Sequence, residues 1–265
     1  MPAALPPMIL RYACASDAGR LRENNEDAVL LDPALALAVV ADGMGGYNAG
    51  EVAARLCCEA VHAALQAQPD EALANPRQRL LEAVRSANRA VFERALLQPS
   101  LRGMATTVVA VLLAGAQGVV AHVGDSRLYR LRQGRLDRLT RDHSLVQEHI
   151  DAGLLEPEAA RASGYRNLVT RALGIAPVVD VEVGTFDLTL GDTLLLCTDG
   201  LTDLLTEGEI ARLLCHGGPL DSAAARLVQA ANAAGGRDNV SVALVHCGAA
   251  ATASDVDSAP RRCGA

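Results

Sequence analysis

The chain has 265 residues, half of them hydrophobic, which is long enough to bury a sizeable core and too apolar for a disordered polypeptide. Its formal net charge of −7, the absence of Trp and the scarcity of other aromatics argue against a nucleic-acid partner, which needs basic groups for phosphates and flat rings for bases. Seven cysteines, an odd number without a C-x-x-C pair, suggest neither a zinc site nor a disulfide framework. Cys57, Cys58, Cys197 and Cys247 all lie in apolar runs, a reduced, cytosolic pattern. The opening MPAALPPMILRY lacks a basic leader, and no window is long and apolar enough for a membrane span, so a cytoplasmic protein without membrane contact is expected.

In chain order, Leu10–Ser16 and Ala28–Leu31 read as strands around the polar stretch Asp17–Asp27. The apolar run Leu35–Ala41 reads as a buried strand stopped by Asp42-Gly43 and a glycine-rich bend. Val52, Ala53, Leu56, Ala60, Ala63 and Ala64 keep helical spacing, which predicts a helix from Ala49 to about Gln68. Asp70–Pro76 reads as a linker, and a second helix follows to about Leu97, packed antiparallel on the first. Thr106–Ala114, Gly118–Val123 and Arg127–Leu131 follow one another with short turns, which predicts an antiparallel meander.

Arg141–Gly174 is polar and helix-prone, with Asp142 or Ser144 as cap, and reads as a mobile surface insertion. Strands resume at Val178–Phe186 and Thr193–Cys197. Two helices follow, Thr206–Cys215 with a capping box in Thr206-x-x-Glu209, then Leu220–Ala234; Val240–His246 is the last strand. Beyond Gly248 the Ala, Ser, Asp and Pro composition reads as a disordered tail. Strands in runs and helices in pairs predict an α+β protein, two sheets covered by helix pairs.

Acidic residues recur where apolar strands begin or end. Asp42 closes one strand; Asp27 precedes another; Asp125 follows VVAHVG; Asp199 follows LLLCT; Asp238 stands just before the final strand. Each alone reads equally as a turn residue. Five of them at strand mouths would repel one another unless a cation neutralised them. Oxygen donors without a His or Cys cluster point to Mg²⁺ or Mn²⁺. Such a pair of ions, bridged by a carboxylate and a water, activates that water as a nucleophile, and a phosphate is the leading substrate. Arg22 is the basic group placed to hold two phosphate oxygens, or else a solvated surface arginine.

The segments SDAGRLRENNEDA, VVADGMGGYNAGE, HVGDSRLYRL, DHSLVQEHIDAG, NLVTRALG, LLCTDGLTD and GGRDNVSVALV resemble, in order, the motifs of the metal-dependent protein phosphatases of the protein phosphatase 2C type, in their bacterial form. They cover the chain from about Tyr12 to His246. The resemblance implies a four-layer αββα sandwich of two antiparallel sheets flanked by helix pairs. Its domain runs over Met8–Gly248, the flap lies at about Arg141–Gly174, and Ala249–Ala265 is left as tail.

It further implies a centre of two Mn²⁺ or Mg²⁺ ions bridged by Asp42, with the Gly43 carbonyl on one of them. Asp199 and Asp238 complete the first position and Asp27 serves the second, with Glu26 as its alternative or indirect partner. Asp125 with Asp199 matches a third, weaker position, and Arg22 matches the phosphate-binding arginine. The implied activity is hydrolysis of phosphoserine and phosphothreonine in proteins by direct attack of water, without a phosphoenzyme. It would reverse a bacterial serine/threonine kinase acting on that kinase or its substrates, and a monomer is expected.

One departure stands out. The eukaryotic pattern has a histidine after Asp-Gly as general acid, whereas this chain has Met44, which cannot donate a proton. His143, at the start of the flap, is the nearest replacement by motif, with a capping or surface histidine as the other reading. Three other functions stay open at this stage: a phosphatase for an anti-sigma-antagonist type of partner, a non-catalytic binding module, and a small-molecule phosphomonoesterase.

Overall fold

The computed structural model describes residues 8–45, 49–156, 164–165, 167–249 and 260–263. Two antiparallel sheets lie face to face. The first holds β1 (Met8–Asp17), β11 (Val240–Ala249), β10 (Thr193–Cys197), β7 (Arg127–Arg132) and β8 (Arg135–Arg138), in that order. The second holds β12 (Arg261–Cys263), β2 (Asp27–Asp32), β3 (Leu37–Met44), β5 (Val108–Ala114), β6 (Gln117–Val123) and β9 (Glu182–Asp187), with β4 (Ala105–Thr106) beside the end of β3. Helices α1 (Ala49–Gln66) and α3 (Pro76–Leu97) cover the second sheet, and α6 (Glu207–Cys215) and α7 (Leu220–Ala233) cover the first. This is the expected αββα sandwich.

Why the core strands are apolar at successive positions is now plain. On β3, Val39 and Ala41 face the α1–α3 pair while Ala38 and Val40 face the other sheet. On β10, Leu195 and Cys197 face α6 and α7 while Leu194 and Leu196 meet the second sheet. A strand with both faces covered loses the alternation that a half-exposed strand shows.

Several expectations are corrected. The Asp70–Pro76 linker contains a short helix, α2 (Pro69–Ala74), started by a proline whose missing N–H costs nothing there. β3 does not stop at Asp42: it runs through Asp42 and Gly43, which pair with Asp27 and Thr106, so these two are strand residues and not a turn. The meander breaks after β6. β5 and β6 pair, but β7 belongs to the other sheet, so Gly124–Ser126 is a crossing between sheets. Gly124 has φ +103°, and a Cβ there would lie 2.6 Å from the Thr107 side chain, so only glycine makes this corner. α5 (Asp199–Thr202) is a single helical turn that follows β10.

The tail and the cysteines are corrected together. Arg261–Cys263 forms β12 on β2, and Cys263 is disulfide-bonded to Cys14 of β1. β1 and β12 are the edges of the two sheets on the same side, so the bond ties one sheet to the other. Residues 250–259 of the expected tail lie outside the described residues. Among the described cysteines, Cys57, Cys58, Cys197 and Cys247 are free and buried, as expected, and Cys215 is free and exposed.

In the insertion, Ser144 caps α4 (Leu145–Asp151) by accepting from the Gln147 N–H, the second of the two expected caps. Residue 166 of the Gly164–Asn167 break and residues 157–163 of the insertion lie outside the described residues. Among the described residues no helix is long and apolar enough to cross a membrane.

Candidate metal centre

At one end of the sandwich the strand termini surround a cleft of about 600 Å³. Arg22, Asp42, Gly43, Asp125, Asp199 and Asp238 all line it, together with Glu26, Met44, Thr107 and Asn239. Asp27 lies just behind, 1% exposed, directly opposite Asp42 in the β2–β3 ladder. All seven residues singled out in the sequence therefore meet at one place. The two sheets contribute jointly: Asp27 and Asp42 come from the second, Asp199 and Asp238 flank strands of the first, and Asp125 sits in the crossing between them.

The electrostatics are those of crowded acids, offset in part by Arg22 at Asp238 and Arg127 near Asp125. Burial raises the Asp42 carboxyl well above the ordinary range, and Asp27, Asp199, Asp125 and Asp238 push it further the same way. Asp199 is raised for the same two reasons. Burial pushes Asp27 up to about 7, against hydrogen bonds from Ser241 and Thr198 that favour its charged form. Asp125 is pushed up to about 7 by burial and by Asp142. Thr198 Oγ1 donates to Asp27 Oδ2 at 3.0 Å, whereas Asp27 Oδ1 is buried with no hydrogen-bond partner. An orphaned carboxylate oxygen among like charges costs free energy as it stands.

The supports of this cluster were not visible in the sequence. Thr107 brackets Asp42: its Oγ1 accepts from the Asp42 N–H at 3.1 Å, and its own N–H donates to the Asp42 carbonyl at 2.9 Å. Asn239 ties down the Arg22 loop. Its Oδ1 accepts from the Glu26 N–H, and its Nδ2 donates to the carbonyls of Ala18 and Asn24, all at 2.8–3.0 Å. A Cβ on Gly43 would run into the backbone carbonyls of Gly50 and Glu26, so the start of α1 seats directly on this strand end. The neighbouring GD and DN pairs were signals for Asp125 and Asp238, but nothing in a sequence says that a threonine or an asparagine reaches across.

Arg22 is exposed and donates to Asp238 Oδ2 at 2.8 Å, which raises its pKa further. Glu26 lines the cleft with a carboxyl raised by burial. His143 is neither a surface residue nor a cap: it is 5% exposed, absent from the cleft wall, and both ring nitrogens are engaged. Its Nδ1 accepts from the Gly124 N–H at 3.2 Å and its Nε2 faces Glu182 Oε2 at 3.2 Å. It cannot hand a proton to a group in the cleft from there. Val169 and Asn167 bring the return arm of the flap to the rim.

Two antiparallel sheets between helix pairs, with acids converging at one end of the strands, define an αββα sandwich with an acidic cleft. The sequence profile described as Protein phosphatase 2C matches residues 20–244, and the chain belongs to that family. It is 39% identical over 237 residues to the serine/threonine protein phosphatase PstP of Mycobacterium tuberculosis, covering 89% of this chain and 45% of that protein. This chain thus spans about half the length of that relative. It is also 36% identical over 234 residues to the serine/threonine phosphatase stp of Listeria monocytogenes, covering 87% of this chain and 93% of that one. The crystal structure of the PstP catalytic domain in complex with two manganese ions superposes with a TM-score of 0.82 at 37% identity, covering 91% of this chain and 99% of that one.

Proposed function

We propose that this chain is a divalent-metal-dependent protein-serine/threonine phosphatase, with Asp27, Asp42, the Gly43 carbonyl, Asp125, Asp199 and Asp238 as the donors of its metal centre. The observation that carries this reading is the convergence of four carboxyl groups, Asp27 and Asp125 buried and Asp42 and Asp199 half-buried, each held above its ordinary pKa. The donor set is all oxygen, which fits Mn²⁺ or Mg²⁺, and the orphaned Asp27 Oδ1 is a donor in want of a cation. When bound, the cations supply Lewis-acid charge stabilisation for a phosphoryl group and a water nucleophile at neutral pH.

The chain's own residues then do three things. Arg22 presents a planar fork at the cleft mouth, exchanging Asp238 for two phosphate oxygens when substrate arrives. Thr107 and Asn239 hold the carboxylate-bearing strands and the arginine loop in fixed relation, so orientation is built in before substrate binds. Met44 leaves the wall beside Asp42 without a proton donor, so the leaving alkoxide takes its proton from elsewhere.

The substrates would be phosphorylated proteins, with a serine/threonine kinase and its targets as the natural partners. Cytoplasmic action follows from that class, because protein kinases and their ATP are intracellular; the Cys14–Cys263 bond is the feature that such a setting has to accommodate. The test is phosphate release from a phosphothreonine peptide with Mn²⁺, with excess chelator, and with Asp42→Ala. Release that needs Mn²⁺ and is lost in the variant supports the reading. No release by folded, Mn²⁺-loaded protein would leave a binding module of the same fold.

A further inference from the structure

Behind the cleft, His122 and His143 stack with ring centroids 4.8 Å apart and planes 13° from parallel. With Glu182 they bring three ligand-type atoms within 4.8 Å of one another, which invites a reading as a second metal site. The hydrogen bonds speak against it. The Gly124 N–H donates to His143 Nδ1, so that nitrogen offers its lone pair, and the one proton of a neutral ring sits on Nε2, toward Glu182. His143 has no lone pair left for a cation. The ring is committed to the Gly124 backbone at one nitrogen and to Glu182 at the other.

What it is committed to is the corner that carries Asp125. Gly124 is held twice by the same residue: its N–H by His143 Nδ1, and its carbonyl by the His143 N–H at 2.9 Å. The corner has no slack on its other side, where Thr107 stands against Gly124 and bonds Ser126 Oγ at 2.7 Å. The same His143 anchors the flap. Its carbonyl accepts from Thr170 at 2.8 Å, next to the Ser144–Val169 bridge, and Val169 is on the cleft rim. His122 fixes the stack from behind, with Nε2 donating to the Arg141 carbonyl at 2.8 Å.

We propose that His143 is a positioning residue that sets the Asp125 carboxylate and the base of the flap in one register, acting through the Gly124 peptide. The proposal rests on the reading of Asp125 as a cation donor. It predicts that the ring matters to the metal centre as a hydrogen-bond acceptor for Gly124, not as a ligand, an acid or a filler of space.

Three variants separate these roles. His143→Ala removes both ring contacts. His143→Asn keeps an acceptor close to where Nδ1 lies but cannot reach Glu182. His143→Gln reaches toward Glu182 but leaves Gly124 without its acceptor. Mn²⁺ uptake is followed by calorimetry, with Asp125→Asn marking which binding step belongs to that carboxylate, and thermal melting is recorded for each protein. His143→Ala and His143→Gln are expected to weaken the Asp125-dependent step about tenfold and to spare the others. His143→Asn is expected to recover most of that loss, and His143→Ala added to Asp125→Asn is expected to weaken uptake no further.

An unchanged isotherm in all three variants would overturn the proposal. So would equal losses in His143→Asn and His143→Gln that track the fall in Tm, since that is what lost packing alone gives. Parent protein that takes up no Mn²⁺ would overturn both this proposal and the metal-centre reading beneath it. Parent protein that binds Mn²⁺ beside unaffected variants would overturn this one alone.

Discussion

Asp42 sits on a buried strand end with four other carboxyl groups acting on it, and that position sets two opposed consequences for the same substitution. Asp42→Asn removes a charge that the metal-free fold does not want, so the chelated variant should melt higher than the chelated parent, by about 2 °C or more for each kcal/mol of relieved repulsion. In Mn²⁺ the order should reverse, because only the parent gains from cation binding, and turnover should be lost. Differential scanning calorimetry with and without chelator reads both effects. A chelated variant that melts below the parent would mean the carboxylate is stabilised by something other than a cation.

The raised carboxyls also fix a sign. Their folded-state pKa values, about 7 for Asp27 and Asp125, lie above those of the unfolded chain. A folded state that binds protons more tightly is favoured at low pH and loses that advantage as pH rises through the folded value. The contribution of these carboxyls to the metal-free protein should therefore fall from about pH 4 up through 7, against the opposite trend of His122, His143 and His246, whose lowered values favour the fold as pH rises, and saturating Mn²⁺ should remove the carboxyl part. Urea midpoints of chelated protein between pH 5 and pH 8 measure it. The midpoint of the parent minus that of Asp27→Asn isolates the carboxyl part, and a difference that rises over that range would contradict the assignment.

At the scale of elements, the two sheets are joined on opposite sides by two different devices. On one side Arg132 of β7 forks onto Asp192 and reaches Asp187 of β9, while Arg130 also meets Asp187. Asp187 is exposed and its ion pairs should count for little. Asp192 is fully buried and also accepts from the Thr189 N–H. Asp192→Ala is expected to lower Tm by roughly 5–10 °C, and Asp187→Ala to leave it within experimental error.

On the other side the Cys14–Cys263 bond closes a loop of 249 residues. Reduction should cost up to about 5 kcal/mol through the freer unfolded chain. Peptide turnover should change little, because no ligand-bearing strand end is cut loose. A melting temperature unaffected by a phosphine reductant would show that the bond carries no stability.

Over the whole molecule, what could be read from the sequence was what depends on neighbours in the chain. The apolar runs gave strands, the helical spacing gave α1, α3, α6 and α7, and Thr206-x-x-Glu209 gave a capping box that forms as expected. The acids at strand mouths were legible for the same reason: a strand that leaves the core must end in something polar. Pairings across the fold were not legible. That β6 and β7 lie in different sheets depends on the corner at Gly124, that the tail returns depends on Cys263 finding Cys14, and that Asn239 holds three backbone groups depends on loops more than 200 residues apart in the chain. His143 illustrates the boundary best. Its motif placed it beside the flap, but only the tautomer forced by the Gly124 N–H says what its ring is for.

The ligand-type residues arrive from the ribosome in a fixed order, and the first and last are far apart: Arg22 and its partner Asp238 are separated by 216 positions. At the usual pace of synthesis, about 5–20 residues per second, Asp27 and Asp42 wait on the order of 10 to 40 s for the final acid to emerge. During that interval the nascent chain holds a bare pair of carboxyls on neighbouring strands and no complete cradle. Capture of a cation would then be a late step of biogenesis, one that seals a domain whose second sheet lacks only its C-terminal edge strand β12.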